Sequence, residues 1–295
     1  MTCPFLREAQ VKYCRTAAVR KLIPLAQAGR TDEKCSSGEF RTCKVFQTQP
    51  LEDSADTGPC PFLRESLMQY CAAAPVAKLV PYSESLLSRC GNDSFRYCEL
   101  YLSMAQPGTP AEEVEGLAMP DRLRYTANHM WLDMGQDGMC HVGIDAFLSR
   151  VLGPPDRLTF LQLKGRTRPA AVLTVNGVDL EVMFPNTLLL TGCNLYLRAN
   201  PARITSEPYT AGWLFEGQPL PQTSENLMEG PAARRWMEQE QRRMNEFLQQ
   251  EQAARSGTMS DGGLFAAGLA HHLDGDRLRV LFHEFFSPYA SGKRV

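Results

Sequence analysis

The sequence lacks several features that define large functional classes. No apolar run approaches the roughly 20 residues that a helix needs to cross a bilayer. The N-terminus, MTCPFLREAQ, has no apolar core of an export signal. The formal charge of −2 and the isoelectric point near 6.2 predict no basic surface for nucleic acid. We therefore expect a cytoplasmic protein that binds neither nucleic acid nor a membrane.

Catalytic motifs are missing as well. Ser260 and Ser287 have no G-x-S-x-G context, and the SDGG stretch has no P-loop around it. The pair His283-Glu284 has no visible nucleophile beside it. We predict that the chain is not an enzyme and has no catalytic residues.

What is present is the composition of an ordinary globular protein. Of 295 residues, 43% are hydrophobic and 22% charged, enough for two or three domains. The predicted fold class is α+β and multidomain, with a small helical cysteine-rich repeat, a central antiparallel β-sandwich and a long C-terminal helix. The predicted boundaries are 1–104 for the cysteine-rich module, 105–120 for a linker, 121–217 for the sandwich and 218–295 for a helical extension.

The cysteine-rich module is an internal repeat. CPFLREAQVKYC at 3–14 returns as CPFLRESLMQYC at 60–71, an offset of 57 residues, and the two copies span 3–46 and 60–101. A proline directly after the first cysteine suits the first turn of a helix, so each copy is predicted to contain two or three short helices. Each copy carries four cysteines, with spacings of x10, x20, x7 and x10, x18, x7: Cys3, Cys14, Cys35, Cys43 and Cys60, Cys71, Cys90, Cys98.

These eight cysteines are the candidate metal ligands. Clustered cysteines in a reducing compartment favour metal or redox chemistry, and thiolates suit iron–sulfur clusters and zinc. No histidine occurs in 1–120, so any metal site there would be all-sulfur. The paired C-x₂-C of zinc sites and the compact ferredoxin spacing are both absent. An iron–sulfur cluster is the favoured cofactor and zinc the less favoured one.

A helical reading of the first repeat also allows disulfides. In one straight helix, Cys3 and Cys14 would lie about 16 Å apart, too far to share one zinc ion. Disulfides joining Cys3 to Cys43 and Cys14 to Cys35 would link two antiparallel segments, although a reducing cytoplasm disfavours disulfides. Buried thiols without a ligand are the remaining alternative.

AVLTVNGVDLEVMFP, at 171–185, predicts a β-hairpin. Asn176-Gly177 suits a type I′ turn, whose two central residues both need positive φ. Pairing about that turn puts Val175 opposite Val178, Leu173 opposite Leu180 and Ala171 opposite Val182 on one apolar face.

The residues around this hairpin resemble the H protein of the glycine cleavage system, a member of the biotinyl/lipoyl carrier fold. The resemblance covers about a third of the chain. The residues that carry the resemblance are Tyr125-Thr126, His129, Trp131, Val142-Gly143-Ile144, Leu152-Gly153, Pro208-Tyr209 and Gly212-Trp213-Leu214.

The resemblance implies a flattened sandwich of two antiparallel sheets and a carrier lysine at a hairpin tip, with lipoate on its ε-amine. Aligning Pro185 places that lysine at Gly177, flanked by Asn176 and Val178. No lysine occurs between Lys164 and Lys293, so no amine is available at the tip and lipoate is not expected.

The remaining elements give no further site. His271-His272 beside a glycine-rich loop indicates a solvated turn, and His129 is expected to pack in the sandwich. Cys140 and Cys193 are expected to be small core residues. The stretch 225–255 predicts a long helix with a partly apolar stripe that docks on its own domain or on a partner.

The sequence therefore favours a non-enzymatic adaptor that joins a redox-active or metal-binding cysteine module to a protein-docking H-like sandwich. Protein partners are expected on the sandwich or on the C-terminal helix. Two alternatives stay open: an H-type carrier of glycine cleavage, and a structural protein with disulfide-bonded repeats.

Overall fold

The computed structural model describes residues 2–16, 23–24, 34–48, 58–75, 78–80, 89–104, 113–256 and 265–288. The chain divides into two compact units, Met1–Gly91 and Asn92–Val295. The predicted boundary at 104 therefore differs from the observed one, since 92–104 falls in the second unit. In the described ranges, no helix is long and apolar enough to span a bilayer.

The described residues of the first unit form one antiparallel sheet. Two nine-residue strands form its centre, and each has a short strand at its outer edge, in the order β2-β1-β3-β4. The strands are β1 (Leu6–Cys14), β2 (Ile23–Pro24), β3 (Leu63–Cys71) and β4 (Lys78–Val80).

The central strands show that the prediction of an all-helical repeat was wrong. The segment after each CP dipeptide is a strand, because β1 and β3 satisfy each other's backbone groups along their whole length, from Leu6 opposite Cys71 to Cys14 opposite Leu63. Pro4 opens a turn rather than a helix, and the N–H of Leu6 closes that turn on the carbonyl of Cys3 at 3.0 Å. Strand pairing between the two copies thus outweighs the helix that the Cys-Pro sequence predicts.

The second half of each repeat is helical, as predicted, but its helices are short. In the first unit a 3₁₀ helix, Gly38–Thr42, leads into α1 (Lys44–Thr48). In the second unit its counterpart is the 3₁₀ helix Asp93–Tyr97, followed by α2 (Glu99–Met104). Each 3₁₀ helix is capped by a side-chain oxygen that accepts a backbone N–H, from Ser37 and from Asn92 respectively.

The described residues of the second unit form three further antiparallel sheets. The order is β10-β12-β13 in one and β11-β14-β15-β9-β8-β7 in another, and β5 pairs with β6. Their bounds are β5 (Glu113–Val114), β6 (Leu117–Ala118), β7 (Arg124–Tyr125), β8 (Met130–Met134), β9 (Cys140–Ile144), β10 (Arg157–Phe160), β11 (Gly165–Thr167), β12 (Ala170–Val175), β13 (Val178–Met183), β14 (Leu188–Cys193) and β15 (Phe215–Pro219).

The three-stranded and six-stranded sheets share one hydrophobic core. Phe160 of β10 meets Phe215 of β15 edge-to-face, with ring centroids 5.7 Å apart. Leu117 and Met119, in the predicted linker, are buried in the same core. The stretch 113–120 is therefore part of the folded unit rather than a linker, and residues 105–112 lie outside the described ones.

In the described part of the second unit, four α-helices pack besides α2. They are α3 (Ala146–Leu152), α4 (Arg203–Ser206), α5 (Gly230–Ser256) and α6 (Gly275–Phe286). The predicted long helix is confirmed as α5, and Ala233, Met237 and Met244 form the stripe that it buries in the common core. Helix α5 thus docks within its own chain, so the predicted extension at 218–295 belongs to the same compact unit as the β-rich part.

Candidate functional site

The hairpin tip at 176–177 has the geometry that the sequence predicts. Strands β12 and β13 pair in the expected register, with Val175 opposite Val178 and Leu173 opposite Leu180. Asn176 has φ of 50° and Gly177 has φ of 74°, the left-handed region that a type I′ turn requires at both positions. This register prediction is confirmed.

The tip has room for a side chain but carries none. A Cβ added at Gly177 would meet no atom within 4 Å, so the position is open. Val178 beside it is buried, and Asn176 is turned toward the C-terminal part of the unit. Lys164 is exposed just before β11, which pairs with β14 in the other sheet, so the lysine nearest in sequence lies on a different element.

His271 holds the tip, a role that sequence reasoning missed. The Asn176 side-chain amide donates to the carbonyl of His271 at 3.1 Å, and His271 Nδ1 donates to Asn176 Oδ1 at 3.2 Å. His271 Nε2 lies 3.2 Å from the Pro154 carbonyl oxygen. The segment expected to be a solvated turn is a 3₁₀ helix, Leu269–His272, fixed between two loops. No local sequence signal marks a contact between residues so distant in the chain.

His129 lies in the core, where the sequence places it, but with two acidic neighbours. Its Nδ1–H donates to Asp145 Oδ2 at 2.8 Å, and Nε2 lies 3.6 Å from Glu240 Oε2 of α5. Phe147 stacks on the ring at 4.2 Å between centroids. Burial by itself disfavours the imidazolium, yet the Asp145 and Glu240 carboxylates outweigh it and raise the pKa of His129 above its ordinary value.

The other residues that carry the resemblance make core contacts. The Trp131 indole N–H donates to the carbonyl of Pro208 at 3.1 Å. The Tyr209 hydroxyl donates to the Ala118 carbonyl at 2.7 Å and accepts from the Ala146 N–H at 2.8 Å. These side chains tie the six-stranded sheet to the segment after α4, and tie that segment to α3 and β6.

One open groove of about 440 Å³ adjoins this part of the unit. Ser149 and Arg150 of α3 line it together with Thr205 and Ser206 of α4, and the remaining lining is apolar. The Arg150 guanidinium is committed to the Phe265 carbonyl at 2.8 Å. The groove therefore has the character of a packing seam between α3, α4 and the loop at 267–268.

In the first unit the structure gathers cysteines from both repeats. Cys60 is buried with Phe40, Phe46 and Phe62, and three thiols of the first repeat pack against this cluster: Cys14, Cys35 and Cys43. The backbone N–H of Cys60 donates to the Cys35 carbonyl at 2.8 Å. The thiols that pack in the cluster with Cys60 thus come from the other copy.

Cys3 of the first repeat is likewise bonded to a cysteine of the second repeat. Its N–H donates to the carbonyl of Cys90 at 2.8 Å, although its sequence partners in the first repeat are Cys14, Cys35 and Cys43. Cys3 and Cys43 both carry free thiols, so the disulfide predicted between them is not formed in this structure. Cys71 ends β3 opposite Leu6, three residues after Cys3, while Cys98 belongs to the second unit.

All ten cysteines are thiols. Throughout the described ranges, no three His, Cys, Asp or Glu side chains are grouped so as to hold one metal ion. Cys140 is fully buried, as expected, and burial raises the pKa of its thiol to about 12. Cys193 is only half-buried, burial raises its pKa to about 11, and its thiol donates to the Gln162 carbonyl at 3.3 Å.

Comparison with known proteins agrees with the resemblance. No protein-family model matches the chain. The chain is 33% identical over 107 residues to the glycine cleavage system H protein of Halorhodospira halophila, covering 34% of this chain and 80% of that relative. It is 32% identical over 108 residues to that of Mycobacterium avium, covering 34% and 78%.

Among solved structures, the glycine cleavage system H protein from Mycobacterium marinum matches with 23% identity and a TM-score of 0.35. That match covers 41% of this chain and 98% of the other.

The hairpin and its two sheets define a β-rich domain of the H-protein type. Through that region, about a third of its length, the chain belongs to the glycine cleavage system H protein family.

Proposed function

We propose that this chain is a non-catalytic adaptor, in which an H-protein-like domain that carries no lipoate is joined to a cysteine module that binds an iron–sulfur cluster. The observation that carries the first part is the tip of the β12–β13 hairpin. Asn176 and Gly177 form the turn there, and neither has an amine.

The chemistry of lipoyl attachment supports a domain that has no carrier role. A lipoyl group is held by an amide to a side-chain amine, and the stretch between Lys164 and Lys293 has no lysine. The side chain of Asn176 is already engaged by His271. The tip is thus built as a packed contact rather than as a free end for a swinging arm.

Protein docking is the role that remains for such a domain. Large apolar side chains are exposed at the loop between β10 and β11 and just after β14, which we call the loop patch: Leu161, Leu163, Leu195 and Tyr196. The thiol of Cys193 bonds to Gln162, which brings the two segments together. Contiguous exposed apolar surface is typical of protein interaction sites.

The proposal of an iron–sulfur cluster rests on the side chains that are available as ligands. Cys60 and three further thiols, Cys14, Cys35 and Cys43, share one apolar cluster, with no histidine in the first unit, and soft all-sulfur sets suit iron–sulfur clusters. Phe40, Phe46 and Phe62 would limit solvent access to a bound group. When bound, such a cluster supplies one-electron redox chemistry, so the module would sense redox state or pass electrons.

Intact mass spectrometry tests the carrier question. The chain is co-expressed with a lipoate ligase, and the H protein of Halorhodospira halophila serves as the positive control in the same cells. We expect the control to gain the lipoyl mass and this chain to remain unmodified. Gly177→Lys places an amine at the open tip position, so its modification shows whether the missing side chain is the only obstacle. A lipoyl increment on the unaltered chain would favour the second candidate function, an H-type carrier.

Metal analysis tests the cysteine module. The chain is purified without oxygen, and its iron, acid-labile sulfide and zinc are measured per chain. We expect iron and sulfide in equal amounts and a brown colour. Zinc alone, or no metal at all, would contradict the iron–sulfur assignment, and disulfides under the same conditions would favour the structural alternative.

A further inference from the structure

We infer that the cysteine sites are exchanged between the two repeats: Cys60 of the second copy completes the set Cys14, Cys35 and Cys43 of the first. The inference deepens the proposed function of the cysteine module, because it assigns which thiols share a site. Sequence spacing suggests the opposite, four consecutive cysteines for each site.

The length of the strands excludes sites made of four cysteines that are consecutive in one repeat. Strand β1 runs over nine residues from Leu6 to Cys14, which places its ends about 27 Å apart at roughly 3.3–3.4 Å per residue. Cys3 lies beyond the far end of that strand. Metal–thiolate bonds are about 2.3 Å long, so Cys3 and Cys14 cannot bind the same centre. Cys60 and Cys71 are separated in the same way by β3.

The register of β1 on β3 indicates which cysteine takes the place of Cys3 in the first site. Gln10 pairs with Leu67, and these two residues occupy the same position in the two copies of the repeat. A local two-fold axis therefore passes through this pair, and the two copies run in opposite directions. The start of each copy lies beside the end of the other copy's strand, with Cys14 opposite Leu63, just after Cys60.

The backbone holds this arrangement at both ends of the ladder. At one end, Arg15 donates to the carbonyl of Phe62 at 3.0 Å, and Leu63 donates to that of Cys60 at 2.9 Å. At the other end, Ala72 donates to Phe5 at 2.8 Å, repeating the first of these contacts.

The loops that carry the third cysteine of each copy are bonded across the repeats as well. Cys60 donates its N–H to Cys35, and Cys3 donates its N–H to Cys90, both at 2.8 Å. The equivalence of the two distances shows that the exchange is a property of the duplicated sheet. Cys60 and Cys3 are equally buried, each 7% exposed.

An aromatic shell surrounds the first exchanged set. Phe40 meets Phe46 edge-to-face at 4.8 Å between centroids, and Phe46 lies 5.8 Å from Phe62, which follows Cys60 by two residues. The first repeat contributes two of these rings and the second repeat the third, just as it contributes the fourth thiol. The aromatic shell, like the proposed set of thiols, is thus built from both copies of the repeat.

Double variants separate the two assignments. Cys35→Ser/Cys60→Ser removes two ligands of one exchanged site, whereas Cys60→Ser/Cys90→Ser removes one ligand from that site and one from the other exchanged site, which contains Cys3 and Cys90. We expect each single variant, and the first double variant, to keep about half of the iron and sulfide of the unaltered chain. The second double variant should keep none. Half content in Cys60→Ser/Cys90→Ser, with none in Cys35→Ser/Cys60→Ser, would overturn the exchange.

A measurement without metal keeps the inference testable if the iron–sulfur assignment fails. The reduced, metal-free full chain is mildly oxidised, and its disulfides are mapped by peptide mass spectrometry. Thiols that share a site form disulfides first, because the bond needs Cα atoms within about 7 Å. We expect Cys60 to be joined to Cys14, Cys35 or Cys43. Disulfides from Cys60 to Cys71 or Cys90 would refute the exchange, whatever the metal content.

Discussion

Asn176, at the tip of the β12–β13 hairpin, and His271, near the C-terminus, exchange two hydrogen bonds of 3.1 and 3.2 Å. The contact joins the tip of the hairpin to a segment 95 residues further along the chain. The hairpin therefore ends in a fixed contact with the rest of its own unit.

Asn176→Gly removes both side-chain bonds but keeps a residue that accepts positive φ. We expect the free energy of unfolding to fall by about 1–2 kcal/mol, the usual contribution of two partly exposed hydrogen bonds. Asn176→Ala should cost about 1 kcal/mol more, because alanine disfavours φ of 50°. Urea denaturation of both variants measures the two effects separately. If Asn176→Gly unfolds at the same urea concentration as the unaltered chain, the contact with His271 contributes nothing.

The pH dependence of stability follows from His129. Its pKa is raised in the folded chain, so the protonated form is favoured by folding. The resulting stability is fully present below the unfolded value, about 6.5, and is lost as the pH rises through the folded pKa. We expect the stability difference between the unaltered chain and His129→Gln to shrink as the pH is raised from about 6 to about 9.

Glu240→Gln is the matched variant for this effect. Glu240 also accepts from the Arg243 guanidinium at 2.8 Å, so the substitution changes one charge while leaving the side chain's shape. It should reduce the pH dependence but not abolish it, because Asp145 remains bonded to His129. A pH profile that is flat in the unaltered chain would contradict the assignment of a charged His129.

Gly143 in β9 is required by its neighbour across the sheet. A Cβ at this position would lie 2.5 Å from Cζ2 of Trp131, a fully buried ring. Gly143→Ala should lower the free energy of unfolding by about 1–3 kcal/mol through overpacking. Gly192→Ala is the control, since a Cβ there meets nothing within 4 Å. Equal midpoints for the two variants in thermal unfolding would show that Trp131 moves aside at no cost.

Helix α5 is an integral part of the second unit rather than a detachable arm. Met237 is fully buried against the common core, so Met237→Ala should destabilise the unit by about 2–5 kcal/mol. Glu246→Ala, on the exposed face of the same helix, should change stability by less than about 0.5 kcal/mol. Similar denaturation curves for both would indicate that α5 leaves the core in solution.

Thiol reactivity should distinguish Cys140 from the cysteines of the first unit. Its thiol is buried and its pKa is raised to about 12, so almost no thiolate is present at neutral pH. We expect iodoacetamide to leave Cys140 unmodified in the native chain and to modify it fully in urea, as read by peptide mass spectrometry. Rapid alkylation of native Cys140 would show that β9 opens readily.

Local chemistry made some elements predictable from the sequence and left others out of reach. The hairpin register follows from Asn176-Gly177 and from strict alternation, and helix α5 from its apolar spacing. The strand β1 was not predictable, because its partner is a second copy of itself 57 residues away, and Pro4 suggested a helix. The contacts of His271 and Glu240 also depend on chain folding over long separations, so their residue types alone gave no signal.

The two-fold relation between β1 and β3 sets a minimum size for the cysteine module. A single copy would expose the full edge of its nine-residue strand, and it would hold its first thiol far from the other three. The smallest self-sufficient form is therefore a pair of copies facing each other, fused in one chain as here or brought together from two chains by the same edge-to-edge pairing.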